Sequence, residues 1–417
     1  MTFIELYNRI LKAEVEGNLD RELDSLGTYY YDPHHIDCLL HPEKCTPVWR
    51  LGDCSDCSDE DKELCAGRCL FEAITIDEKG NAAIDPDKCV GCAECLEKCR
   101  KNNLAERKDL IAALAAIKNA DAPVYALVAP AFIGQFSKDV TPGKLRSAFK
   151  KLGFAGMVEV ALFADILTLR EALEFNRRVI HEEDFLLTSC CCPMWIALIR
   201  RIYKQYITHV PGSVSPMIAC GRSIKKLEPG AITIFVGPCL AKKAEAREPD
   251  IRDAVDYVLT FDEVSQLFEV TGIDPAELDE DMRDHSSLGG RIYARTGGVS
   301  EAVSAAAERL SSGNSMPVRA IQANGIRECK ALMQQLQEGK IRHNFIEGMG
   351  CVGGCVGGPR AIIDRELGRS NVDEYGKLAQ FDTPIDNPYV IELLNRLGFE
   401  KVEDLLAEES MFTRDFS

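Results

Sequence analysis

The chain has 417 residues, 46% of them hydrophobic and 28% charged, with a formal net charge of -17, which is the profile of an ordinary folded protein and not of a disordered or membrane one. That length exceeds what one hydrophobic core usually supports, so two or three domains are expected. No apolar run approaches the roughly 20 residues of a membrane span, and the acidic balance opposes nucleic-acid binding and gives no reason to expect an anionic membrane as partner.

The opening segment, MTFIELYNRILKAEVEGNLD, carries acidic residues early and no continuous apolar core. It predicts an amphipathic helix instead of a secretory signal, and hence a cytoplasmic location. Eighteen cysteines in such a compartment point to metal ligands or catalysis more than to disulfides. Ten lie from Cys38 to Cys99 and eight from Cys190 onwards, which divides the chain into a dense metal module and a larger body. Ahead of the module, residues 1–44 form a helical extension. Near its end, His34, Cys38, His41 and Cys45 sit at spacings that suit a further metal or cluster, and equally suit free thiols packed against the next domain.

Residues 45–105 carry Cys89-x-x-Cys92-x-x-Cys95-x-x-x-Cys99, the bacterial ferredoxin run, in which three thiolates hold three corners of a 4Fe-4S cube and the fourth ligates the neighbouring cube. Upstream, Cys54-x-x-Cys57, Cys65 and Cys69 supply a second set. The region resembles a two-cluster ferredoxin domain. That resemblance assigns Cys54, Cys57, Cys65 and Cys99 to one cluster and Cys69, Cys89, Cys92 and Cys95 to the other, although neither Cys69 nor Cys99 is followed by the usual proline. Structural zinc is the alternative, but cysteines at repeated two-residue spacing fit a cube better than a tetrahedron.

The stretch KNNLAERKDLIAALAAIKNADAP, residues 101–123, predicts a connecting helix closed by Pro123. Beyond it, the body at 122–417 alternates. VYALVA (124–129) predicts a strand, TPGKLRSAFKKLG a helix, MVEVAL a strand and ILTLREALEFNRRVI a long helix, with FLLTS (185–189) and AITIFV (231–236) as further strands. Such alternation implies an α/β body with largely parallel sheets covered on both faces. Ligands in these folds collect at the carboxyl ends of strands, where the cysteines at 190–192 and 239 fall. The acidic run DPAELDEDMRD (274–284) predicts a solvated helix.

Three segments occur in order along the body: TSCCCPMW (188–195), PCLAKKAE (238–245) and EGMGCVGGCVGG (347–358), with ARTGGVSEA (294–302) between the last two. Together they resemble the signature motifs of iron-only (FeFe) hydrogenases, here with an additional cysteine in the first motif. The resemblance implies an α/β hydrogenase domain of two lobes behind the ferredoxin-like module. It also implies an H-cluster, a 4Fe-4S cube bridged to a two-iron unit carrying carbon monoxide, cyanide and an amine dithiolate. The cube ligands would be Cys192, Cys239, Cys351 and Cys355, with Cys355 as the bridge. Lys242 would pair with a cyanide, and Pro130, Ala131 and Met349 would line the two-iron unit.

Protons would be relayed by a cysteine and by Glu171 and Glu174, three apart on one helix face. Anchoring the first motif on Pro193 and Trp195 makes Cys191 the relay, whereas anchoring on Thr188 and Ser189 makes it Cys190. Three departures from the family pattern stand out: Gly237 replaces a methionine, Ala131 a serine, and Pro211 a relay serine before SVSP. The implied activity is reversible reduction of protons to hydrogen, with ferredoxin or a similar carrier as electron partner and with maturation proteins that supply the two-iron unit. The alternative is a hydrogenase-like carrier for iron-sulfur cluster assembly, which keeps the cube cysteines without hydrogen chemistry.

Overall fold

The computed structural model describes residues 1–311 and 316–416. The body is α/β, built on two parallel sheets. The larger has the order β6-β5-β8-β9, with β5 Val124–Val128, β6 Gly156–Glu159, β8 Ile232–Gly237 and β9 Tyr257–Thr260. The smaller runs β10-β11-β7, with β7 Leu186–Thr188, β10 Ala320–Asn324 and β11 Phe345–Met349. Every pairing in both sheets is parallel, and helices cover the faces, so Val124, Ala126, Leu127 and Val128 of β5 are all buried. Strands buried on both sides need apolar residues on both faces, which is why they read as continuous hydrophobic runs.

The helix Ala161–Arg178 packs between the two lobes and is buried along most of its length, including the polar Asp165, Thr168, Arg170, Glu171 and Glu174. MVEVAL divides between β6 and the start of this helix, because the strand ends at Glu159. Among the described residues, no helix is long and apolar enough to cross a membrane.

At the N-terminus, the helix Phe3–Glu16 starts in a capping box from Thr2 to Glu5, and its apolar stripe, Phe3, Leu6, Tyr7, Ile10 and Leu11, joins the core formed around the helix Leu110–Asn119 and the larger sheet. Two antiparallel pairs organise the cysteine module: β1 Val48–Arg50 with β4 Leu104–Glu106, and β2 Ile74–Ile76 with β3 Ala82–Ile84.

Two expectations from the sequence need correction. The stretch 101–123 is not one helix: Leu104–Glu106 is a strand closing the module against Val48–Arg50, and helix begins only at Leu110. The run 274–284 is not a solvated helix either. Beyond a single turn at Pro275–Glu277 it lies extended against the helix Pro142–Lys151. There Lys144 Nζ donates to Ala276 O at 2.7 Å, Ser147 Oγ to Asp279 O at 2.7 Å and Arg146 to Asp281 O at 2.5 Å. These donors use carbonyls that a helix would have consumed internally.

A buried charge network ties the module to the body. Lys243, with no exposed surface, donates to Glu263 Oε2 and to Arg107 O, both at 2.8 Å, and Arg107 pairs with Asp109 at 2.8 Å. Replacing Lys243 by Met leaves the Glu263 carboxylate buried without its cation, and should cost about 3–5 kcal/mol in chemical denaturation. A loss below about 1 kcal/mol, the range of an exposed pair, would show that the network does not hold the module.

Candidate functional site

In the N-terminal module the structure brings Cys54, Cys57, Cys65 and Cys99 around one small cavity. Burial together with Cys54 and Cys99 pushes the Cys57 thiol up, and Cys65 is raised by burial and by the same two neighbours. Cys69, Cys89, Cys92 and Cys95 form a second set. Burial, reinforced by Cys89 and Cys69, lifts Cys92 to about 11, and Cys95 is raised by burial and by the other three. The two halves repeat one detail: Cys69 Sγ accepts the Ala73 N–H and Cys99 Sγ the Asn103 N–H, each four residues on and each at 3.3 Å. Cys65 also acts on Cys95, so the two sets adjoin.

The second set lies against the body. Gly91, at φ +70°, has its Cα where an added Cβ would stand 3.0 Å from Leu240 O and 3.1 Å from the Ala241 Cα. Only glycine combines that left-handed backbone with that approach, and it seats the Cys89–Cys92 loop directly on the loop bearing Cys239. Across this contact Cys92 acts on Cys351.

In the body, four cysteines come from three chain segments. Cys192 ends the loop after β7, at the start of the helix Pro193–Arg201. Cys239 follows β8, Cys351 follows β11, and Cys355 opens a 3-10 turn. Cys192 Sγ accepts the Gly350 N–H at 3.3 Å. Burial raises Cys351 well above the usual thiol range, with Cys239, Cys192 and Cys355 adding to it. Cys239 is pushed up to about 11 and Cys355 to about 12, by burial first and then by neighbouring thiols. The close approach at Gly354, φ +84°, is to protein: an added Cβ would lie 2.7 Å from Thr296 N. The glycines of this loop therefore let it pack on the 294–302 segment.

Whether these residues suit an iron-sulfur group is answered by the donors. Four convergent buried thiols repel one another once ionised, and a soft, thiolate-binding centre is the partner that relieves this. Ser189 adds a further mark: it is a non-glycine residue at φ +72° with a buried Oγ that has no hydrogen-bond partner. Strain and unmet polarity of this kind concentrate at functional sites.

Lys242 is buried beside the four thiols and donates to Glu245 Oε2 at 2.5 Å. Burial alone pulls its pKa down, but Glu245 and the thiols of Cys239 and Cys191 outweigh this and raise it, so the side chain stays a cation. Ala131 and Met349 are buried, Ala131 in the turn Pro130–Phe132 after β5 and Met349 at the end of β11.

Behind the four gathered cysteines the first motif does two different things. Cys191 faces Cys190, Cys355, Cys192 and Lys242, and its thiol is raised chiefly by burial. Cys190 Sγ donates to Glu171 Oε1 at 2.9 Å, while Thr188 Oγ1 donates to the other oxygen of the same carboxylate. Burial raises Glu171 in spite of both hydrogen bonds. Glu174 lies between Arg170 at 2.9 Å and Arg178 at 2.6 Å. Glu171 thus has Cys190, not Cys191, as its thiol partner. The position of the missing serine is Pro211; two residues on, the buried Ser213 donates its hydroxyl to Val214 O at 3.2 Å and lies near enough to Cys190 to act on its thiol.

Outside the site, Cys38 and Cys45 are joined in a disulfide, so they are not free thiols. His34 Nε2 lies 3.5 Å from Cys38 Sγ, and His41 turns away towards Glu43 at 3.6 Å.

Comparison with known proteins gives the family and the fold of the body. Residues 122–359, more than half of the chain, match the family described as iron only hydrogenase large subunit, C-terminal domain. The periplasmic Fe hydrogenase large subunit of Nitratidesulfovibrio vulgaris is 30% identical over 267 residues, covering 54% of this chain and 63% of that one. Cytosolic iron-sulfur assembly component 3 of Pongo abelii is 27% identical over 315 residues, covering 62% and 66%. A solved structure of a variant FeFe-hydrogenase HydA1 from Chlamydomonas reinhardtii shares the fold with a TM-score of 0.58 at 22% identity, covering 69% of this chain and 94% of that one. The chain spans less than two thirds of the length of the hydrogenase relatives it matches.

If each set holds its own 4Fe-4S cluster, replacing Cys57 by Ala should remove about four irons per chain and one of two ferredoxin-type electron paramagnetic resonance signals, leaving the other. Loss of both signals, or of neither, would show that the two sets are not separate clusters.

Proposed function

The chain belongs to the iron-only hydrogenase large-subunit family, and from that premise we propose that it is a ferredoxin-linked hydrogenase catalysing the reversible reduction of protons to hydrogen. In this reading Cys192, Cys239, Cys351 and Cys355 hold the cube of an H-cluster, with Cys355 as the bridge. Lys242 would hold a cyanide of the two-iron unit, and Pro130, Ala131 and Met349 would line its place. Residues 45–105 act as a ferredoxin-like module in which Cys54, Cys57, Cys65 and Cys99 ligate one 4Fe-4S cluster and Cys69, Cys89, Cys92 and Cys95 the other. When bound, the H-cluster supplies the electrons and the open metal coordination at which protons and hydrogen interconvert. Maturation proteins are the implied source of its two-iron unit, and a reducing cytoplasm suits a set of twelve ligand thiols.

The chain's own part is to move protons. Cys191 Sγ presents a proton beside Lys242 and Cys355, Cys190 Sγ stands next to it, and Glu171 Oε1 accepts from Cys190. A proton leaving Cys190 for Cys191 is replaced from Glu171, and Glu174, fixed by Arg170 and the partly exposed Arg178, lies towards solvent. Cys190 therefore joins Cys191 as a relay group, and the extra cysteine of the first motif becomes a link between thiol and carboxylate. Burial favours the neutral forms of all three groups, which suits hand-over without a stranded charge.

The single observation that carries this reading is the buried Cys191–Cys190–Glu171 succession beside a buried lysine. Similarity to an iron-sulfur assembly component favours a second reading, a cluster carrier. A carrier needs the four thiolates and has no use for a buried cation or a proton path.

Infrared spectroscopy of protein matured anaerobically with the family's assembly enzymes separates the two readings. Carbon monoxide and cyanide bands are expected; intact cubes without such bands would leave the carrier. In matured enzyme, Glu171→Gln keeps an acceptor for Cys190 and removes the ionisable group, so turnover should fall by about 10²–10⁴-fold with the infrared bands retained. An unchanged rate would remove Glu171 from the path.

A further inference from the structure

Where the cysteine module meets the body, a cleft of 1190 Å³ opens whose wall is opposite in charge to the protein as a whole. Ten basic and five acidic side chains line it, whereas the chain has 49 basic and 66 acidic residues. Some of these cations are neutralised from behind: Arg107 by Asp109, and Lys243 by Glu263. Others are not. Among the described residues, Lys204, Arg252 and Lys330 are exposed and Arg247 is half-buried, with no carboxylate within ion-pairing distance of any of them. Arg247 is further crowded by Arg107, so a guanidinium is held beside another cation at partial burial.

The floor of the cleft includes Cys89, a member of the cysteine set that abuts the Cys239 loop. Arg201 lies over the Phe71 ring at 5.8 Å, spans to the Lys88 carbonyl and is near enough to act on Cys89. From Cys89 the set continues through Cys92 to Cys351. The Cys54, Cys57, Cys65 and Cys99 set adjoins from the side, through Cys65 and Cys95.

We propose that this cleft is the docking surface for an acidic one-electron carrier protein, which exchanges electrons with the cluster of Cys69, Cys89, Cys92 and Cys95 without passing through the outer cluster. The choice of partner rests on the redox reading above; the location rests on charge and on the position of Cys89. On a chain of net charge -17 an acidic partner is repelled by most of the surface, and complementary potential at one face both orients and accelerates its encounter. The step balances simply: the reduced carrier loses one electron and the cluster gains it, with no bond made or broken.

The test measures binding without turnover. Oxidised acidic two-cluster ferredoxin is titrated into anaerobic holoprotein by calorimetry, comparing wild type, the double variant Lys204→Glu/Arg252→Glu, and the control Lys377→Glu at an exposed helix end elsewhere. The double variant should bind about tenfold more weakly, the control should match wild type, and raising salt from about 0.05 M to about 0.5 M should weaken wild-type binding on the order of tenfold. Unchanged affinity in the double variant, equal loss in the control, or absence of any wild-type binding would overturn the proposal. Because no hydrogen is turned over, a protein that lacks the two-iron bands yet shows this binding pattern would keep the docking site while losing the hydrogenase reading.

Discussion

Four thiols that repel one another when ionised are gathered in a dry interior, and much of the body can be read as the means of holding them there. Three segments deliver them, and three of the four thiols follow parallel strands at their carboxyl ends: Cys192 after β7, Cys239 after β8 and Cys351 after β11. Ionising all four together is unfavourable, since burial raises the thiols and their neighbours raise them further. It becomes favourable when a soft metal centre takes up their charge, so binding free energy and folding free energy are one quantity here. Lys242 adds a second compensating charge at the same place, itself held by Glu245.

In the proposed function two routes lead outwards from that centre in different directions. The electron side runs through Cys351 and Cys92 into the cysteine module, made possible by the approach of Gly91 to the Cys239 loop. The proton side runs through the first motif into the buried helix Ala161–Arg178, whose polar face carries Glu171 and Glu174. Separating the two is physically sensible: thiolate-rich walls suit electron transfer, while a thiol–carboxylate chain in an apolar setting passes protons without admitting bulk water.

Much of this was legible in the sequence because its signals are local. Continuous apolar runs marked β5 and β8, and cysteine spacing marked the module. Pro193 at the start of its helix marked Cys192 as the residue that closes the loop. What was not legible depends on partners distant along the chain. Leu104–Glu106 is a strand because Val48–Arg50 lies beside it, in spite of helix-forming neighbours. The 274–284 run is extended because Lys144, Arg146 and Ser147 claim its carbonyls. The division of labour between Cys190 and Cys191 follows from which thiol faces Glu171, and adjacent residues with the same side chain carry no sequence signal of that. The Cys38–Cys45 link was hidden by the expectation that thiols in a reducing compartment stay free.

Anomalous diffraction at the iron edge, from crystals of anaerobically reconstituted protein, tests the central claim most directly. The account predicts iron density enclosed by Cys192, Cys239, Cys351 and Cys355, distinct from two further iron positions in the cysteine module. Iron confined to the module, with those four sulfurs empty or bound to another metal, would contradict it.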